Sequence, residues 1–200
     1  MNKKIGTIAA LANVLSVSIF ALATIFVWPF VAYFSSMFIA FSFVPMVCAF
    51  SAQATPDART AGNTAVIFAG MYAVFIVIIY FTQLTTLRNE TLSPEMTTLL
   101  DYSAFSWFFN LNLMGYGLMS LSTFFAGLTL RVRKKSHGVL KFMLLGHGIF
   151  FISGIIMPML GVFSAMDDAH FIGSLILLIW CAIFIPIGML SYFYLQEEKT

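Results

Sequence analysis

From Ile5 to Phe50 the chain carries no charged side chain. A run of that length cannot be laid over a water-facing surface, because a soluble fold has to cover its outside with polar groups. The rest of the sequence repeats the theme. A helix needs about 20 mostly apolar residues to cross about 30 Å of hydrocarbon, and six such windows fit, at about 6–28, 31–51, 64–84, 104–130, 139–163 and 171–194. Only 9% of the residues are charged, against about a quarter in soluble domains, so the fold can only be completed in a bilayer.

The longest connectors, about 51–63 and 85–103, leave no room for a soluble catalytic domain. The expected fold is therefore all-α: one transmembrane domain over residues 1–200, a polytopic bundle of six spans. Trp28-Pro29 marks the first boundary, since proline disfavours α conformation in the residue before it and tryptophan prefers the membrane interface. Residues 3–23 also imitate a secretory signal, ending in Ala21-Leu22-Ala23. The next stretch, TIFVWPFVAYF, does not read as the start of a soluble domain, so the first helix is read as uncleaved.

Lysine and arginine in short loops mark the cytoplasmic side. With the N-terminus inside, that side holds Lys3, Lys4, Arg59, Arg131, Arg133, Lys134, Lys135, Lys141 and Lys199, and the other side only Arg88. Both termini are thus expected in the cytoplasm, the protein in the inner membrane, and RVRKKSHG in the loop between the fourth and fifth spans. That loop has the composition of an anionic-lipid site, but fixing topology and complementing the dipole of the fourth helix account for it as well. A net charge of +2 suggests no nucleic-acid partner.

On the other side Glu90, Glu95, Asp101, Asp167 and Asp168, with His170 nearby, could gather a cation. Helix capping is the plainer account: Ser93-Pro94-Glu95 has the order N-cap, proline at the first helical position, acid in the first turn, and Thr55-Pro56-Asp57 repeats it before the third span. No metal site and no cofactor are expected. Cys48 and Cys181 fall at different depths of their spans and are expected to be free thiols.

The fourth span is the least apolar. FFNLNLMGYGLMSLSTFF, residues 108–125, places Asn112, Tyr116, Ser120, Thr123 and Gly127 on one helical face, with Asn110 and Gly117 elsewhere. Such groups cannot face lipid unsatisfied. They either bond across helix interfaces, for about 0.6–2 kcal/mol each, or line a path for a solute. In the fifth span His147, Phe151, Gly154, Pro158 and Gly161 succeed one another at helical spacing. His147 is the one readily titratable side chain deep in a span, which makes it a functional candidate. If it gates or binds, activity should change between about pH 5.5 and 7.5. As a structural group it would pair with Asn13 of the first span, at similar depth.

No Asp or Glu lies deep in any span, so the carboxylate relays of ion-coupled transporters are missing. Hydrolase signatures are missing too, and no enzymatic activity is expected. PMVCAFSAQ at 45–53 and PMLGVFSAM at 158–166 share five of nine positions, as inverted halves would.

FNLNLMGYGLMSLSTFF, PMVCAF and IIMPML together resemble a group of small, uncharacterised six-span bacterial integral membrane proteins. The resemblance covers the whole chain and implies the six-span fold and a bacterial origin; it carries no chemistry and transfers no functional residue. Two functions are therefore expected from the residues. The first is an accessory unit that binds a lipid, another membrane protein or a second copy of itself through the fourth and fifth spans. The alternative is a small-solute transporter or channel whose path is lined by Asn112, Tyr116, Ser120, Thr123, His147 and Asn13.

Overall fold

The computed structural model describes residues 2–102, 107–162 and 169–197, with side chains from 173 onward in the last stretch. Asp167, Asp168 and Lys199 lie outside the described residues, as does the side chain of His170. Among the described residues every regular element is helical, and six helical segments are long and apolar enough to cross a membrane.

The first two are α1 (Asn2–Ile25) and α2 (Pro29–Ala52), separated where Trp28-Pro29 requires it. Val27 takes a positive φ of 54°, and Trp28 sits outside the α region ahead of a proline at the first helical position. The third is α3 (Arg59–Leu84), entered through a short 3₁₀ turn, Pro56–Ala58. Thr55 stands at the expected cap position of that turn but makes no side-chain capping bond. The connector to the fourth span holds two short helices, α4 (Thr86–Asn89) and α5 (Pro94–Leu100). Here the capping reading is realised: Ser93 Oγ accepts from the Met96 N–H at 3.3 Å. The Glu95 carboxyl is held below its usual range by its own backbone N–H and by Ser93.

The fourth span is α6 (Trp107–Thr129). The fifth is interrupted: α7 (Lys135–His147) gives way to a π-helical turn at Ile152–Ile156 and a last short piece, α8 (Met157–Met159). The sixth is α9 (Ala169–Glu197), which runs through Pro186.

These helices form a closed ring in chain order. α1 packs on α2, α2 on α3, α3 on α6, α6 on α7 and the π turn, α7 on α9, and α9 returns to α1. Neighbours alternate in direction, so chain ends gather by charge. Lys134 pairs with Glu197, and the Arg131 N–H donates to Tyr194 Oη at 3.2 Å. At the opposite end Arg88 lies over the Phe30 ring.

The first two helices are dressed inside out by the standards of a soluble protein. α1 turns Gly6, Ala9, Ala10, Asn13 and Ser16 inward and leaves Ile8, Leu11, Leu15, Ile19 and Leu22 exposed. α2 buries Ser35, Ser36, Ala40 and Ser42 and exposes Phe30, Phe34, Phe38 and Phe41. Small inward residues let backbones approach, while the large outward ones give the bundle an apolar exterior. The centre of the ring is filled by Phe43, Tyr72, Met119 and Phe184, all fully enclosed.

The two PM segments do not fold alike. After Pro45 the helix continues to Ala52, whereas after Pro158 it ends at Met159 and the chain turns at Gly161, φ 67°. Over the described residues the sequence match is not matched by backbone.

Candidate functional site

The α6 stripe faces inward as its spacing requires: Asn112, Ser120, Thr123 and Gly127 are buried, Tyr116 half-buried, and Asn110 exposed. Its hydroxyls bond mostly within their own helix. Ser120 donates to the Tyr116 carbonyl at 2.9 Å, and Thr123 to the Ser120 carbonyl at 2.9 Å. The bond that crosses to α3 comes from off the stripe, Ser122 to the Ala65 carbonyl at 2.8 Å.

The fifth span departs from the spacing expected of it. Beyond His147 the chain tightens into i→i+3 bonds, from Gly148 to Leu145, Ile149 to Gly146 and Phe151 to Gly148, before widening into the π turn. The change of pitch rotates the face, so Phe150, Ser153, Gly154 and Met157 turn toward α6 in place of the run Phe151, Pro158 and Gly161. Gly154 is required here. A Cβ on it would meet the Leu113 carbonyl oxygen at 2.6 Å and the Gly117 nitrogen at 2.8 Å.

Between α6, the π turn and the first turns of α9 lies a cavity of about 140 Å³. Its walls are Phe109, Leu113, Tyr116, Phe150, Met157, Ile176, Leu177 and Trp180, with Tyr102 over them at the end of the bundle that carries α4 and α5. The polar contributions are Asn112, Tyr116, Ser120 and Ser153. Asn112 is 2% exposed, and its Oδ1 has no hydrogen-bond partner. Tyr116 Oη is enclosed as well, and the Tyr80 phenol of α3 is the side-chain hydrogen-bonding group within its reach. Buried polar atoms are nearly always paired; Asn13 Oδ1 and Tyr72 Oη, away from this cavity, are likewise enclosed without a partner. Burial, with Tyr80 beside it, pushes the Tyr102 phenol well above its usual range, so it lends the cavity a neutral hydroxyl.

Below the cavity the route closes. Trp180 Nε1–H donates to His147 Nε2 at 2.9 Å, and His147 Nδ1 lies 2.8 Å from Thr123 Oγ1. An indole can only donate, so Nε2 is the acceptor and Nδ1 carries the ring proton toward Thr123. The imidazole is also packed against Phe150 and Phe184, each with its centroid at 5.2 Å. His147 thus ties α6, α7 and α9 together at one point.

Four of the six expected path residues therefore converge with a fifth: Asn112, Tyr116 and Ser120 line the cavity, and Thr123 joins its floor through His147. Asn13 does not. The expected Asn13–His147 pair does not form: Asn13 Nδ2 instead donates to the Ile39 carbonyl at 3.2 Å and Ser42 Oγ at 3.0 Å, fastening α1 to α2. The first two helices are sequence neighbours and pack along their length, which places Asn13 against α2 and away from α7. Sequence reasoning passed over Trp180 and Phe150. A tryptophan in mid-span, away from the interface where the residue is enriched, was the signal available.

Both cysteines are free thiols. Among the described residues no three His, Cys, Asp or Glu side chains come together as a metal site would need. The class so defined is an all-helical bundle with six apolar helices of membrane-spanning length and a closed-bottomed cavity among three of its elements. No protein-family description, no curated protein and no solved structure matches the chain.

Proposed function

We propose that the protein is a multi-pass inner-membrane binding unit that holds a small uncharged molecule in the cavity between α6, the π turn and α9. The observation that carries this is the cavity itself: aromatic rings wall it, the residues Asn112, Tyr116, Ser120 and Ser153 border it, and Asn112 Oδ1 lies enclosed beside it without a partner. Among the described residues, none that lines the cavity is a carboxylate, Lys, His or Cys, which supports binding over catalysis. A bacterial inner membrane, with both termini and the basic 131–135 loop in the cytoplasm, fits the sorting of charge between the two ends. The cavity then lies in the periplasmic half.

A transport role has one observation in its favour, the interrupted fifth span, since broken helices flank the sites of many transporters. The His147–Thr123–Trp180 contacts close the route toward the basic end, and that favours binding.

The test is native mass spectrometry of the protein released from mild detergent. A reproducible small adduct, present on the native chain and lost on Asn112→Leu with the fold retained, is the expected result. A chain that carries no adduct under any extraction would count against the proposal.

A further inference from the structure

Resting on that reading, we infer that Tyr102 is the gate of the cavity, set in place by Gln83, and that a solute reaches the cavity through a second chamber at the α1–α2 turn. That chamber has a volume of about 190 Å³ and lies among Phe20, Thr24, Trp28, Tyr33 and Tyr80, of which Trp28 is exposed. It shares two wall residues with the inner cavity, Tyr102 and Leu177. The Tyr102 ring stands between the two spaces. On one side it meets Tyr33 edge to face at 6.2 Å and Tyr80 at 5.8 Å, both of the outer chamber, and on the other Phe109 of the inner cavity at 5.9 Å. Among the described residues, no charged side chain lines either space, which suits the passage of an uncharged molecule.

What holds the ring there is an amide from another helix. The backbone is extended at Asp101, where α5 ends, so the Tyr102 N–H has left the helical ladder. Gln83, buried in the last turn of α3, closes on this corner from both sides: its Nε2 donates to the Leu100 carbonyl at 2.7 Å, and its Oε1 accepts from the Tyr102 N–H at 3.3 Å. A planar amide supplies the donor and the acceptor that this pair requires, and an apolar side chain supplies neither. With the backbone pinned, the ring can still turn about its Cα–Cβ bond, and that turn opens the partition without moving a helix. The His147 contacts already close the end toward the basic loop, which directs the route to Tyr102.

The experiment is acrylamide quenching of Trp180 fluorescence in lipid nanodiscs. Trp28 and Trp107 are replaced by phenylalanine throughout, so that Trp180, on the cavity wall, is the one indole emitter. Acrylamide, small and uncharged, is the probe of access. The expected result is a low quenching constant in this parent, a several-fold rise in Tyr102→Ala, and a comparable rise in Gln83→Leu, which keeps the ring but frees its backbone. Tyr102→Phe, which also keeps the ring, should match the parent. Ser122→Ala, which breaks a different bond between α3 and α6, should match it too, so that a rise in Gln83→Leu reports the gate and not a loosened bundle. Unchanged quenching in both Tyr102→Ala and Gln83→Leu overturns the gate, as does an equal rise in Ser122→Ala. A rise in Tyr102→Ala alone overturns the role given to Gln83. The adduct in native mass spectrometry is read separately: its presence with unchanged quenching removes the gate and spares the binding reading, and its absence under every extraction counts against that reading whatever the quenching shows.

Discussion

His147 and Asn112 are both buried polar residues, yet they stand in opposite energetic positions. Both His147 ring nitrogens are satisfied, by Trp180 and Thr123. Removing the ring strands the Trp180 N–H and leaves a hole between α6, α7 and α9. His147→Ala should therefore lower stability by about 2–4 kcal/mol, combining an unpaired buried donor with a cavity, as read by chemical unfolding in detergent. Asn112 has an orphan oxygen instead. Asn112→Leu should leave the ligand-free protein as stable or raise its stability by about 1 kcal/mol, in the same assay, while abolishing the adduct. A residue whose replacement stabilises the empty protein and removes binding is there for the ligand, whereas one kept for packing would show the reverse. The sequence displayed Asn112, Tyr116 and Ser120 as one face because their spacing is a property of a single helix. It could not display Trp180 as the partner of His147, because the two are 33 residues apart and meet through packing alone.

At the scale of an element, the fifth span shows why spacing misleads. Reading His147, Phe151, Gly154, Pro158 and Gly161 as one face assumes a constant pitch, and the 3₁₀-like tightening followed by the π turn breaks that assumption. Turns of this kind occur often at functional sites because they re-aim side chains. The turn is held by backbone contact: Gly154 lies against Leu113 and Gly117 of α6, and a Cβ on Gly117 would strike the Ile155 side chain at 2.8 Å. Gly154→Ala should push the π turn off α6, destabilise the protein by about 1–3 kcal/mol through overpacking and weaken adduct retention. Thermal unfolding and native mass spectrometry of the variant check the two effects. Gly146→Ala, which nothing crowds, should leave both unchanged and serves as the control. By contrast α2 passes Pro45 without ending, since it keeps helical partners on both sides, α1 and α3.

At the scale of the molecule, ring closure brings α9 back against α1 and gathers the basic segment ends on one side of the bundle. The proposed orientation makes a direct prediction. With Cys48 and Cys181 replaced by alanine, Glu95→Cys should react with a membrane-impermeant maleimide added to intact spheroplasts, and Arg133→Cys only after the membrane is opened. The opposite result would invert the topology and move the cavity to the cytoplasmic half.

The number of apolar segments, their boundaries to within a few residues at most ends, the break at Trp28-Pro29, the α5 cap and the charge sorting were all determined by the sequence itself. These are sums over contiguous residues: hydropathy over a window, a proline's constraint on its neighbour, a tally of lysines per loop. The tertiary structure alone decided which polar groups find partners. Asn13 Nδ2 goes to α2, His147 goes to Trp180, and Asn112 Oδ1 is left without a partner beside a cavity, because partnership depends on helix pitch and on which distant helices the ring brings side by side.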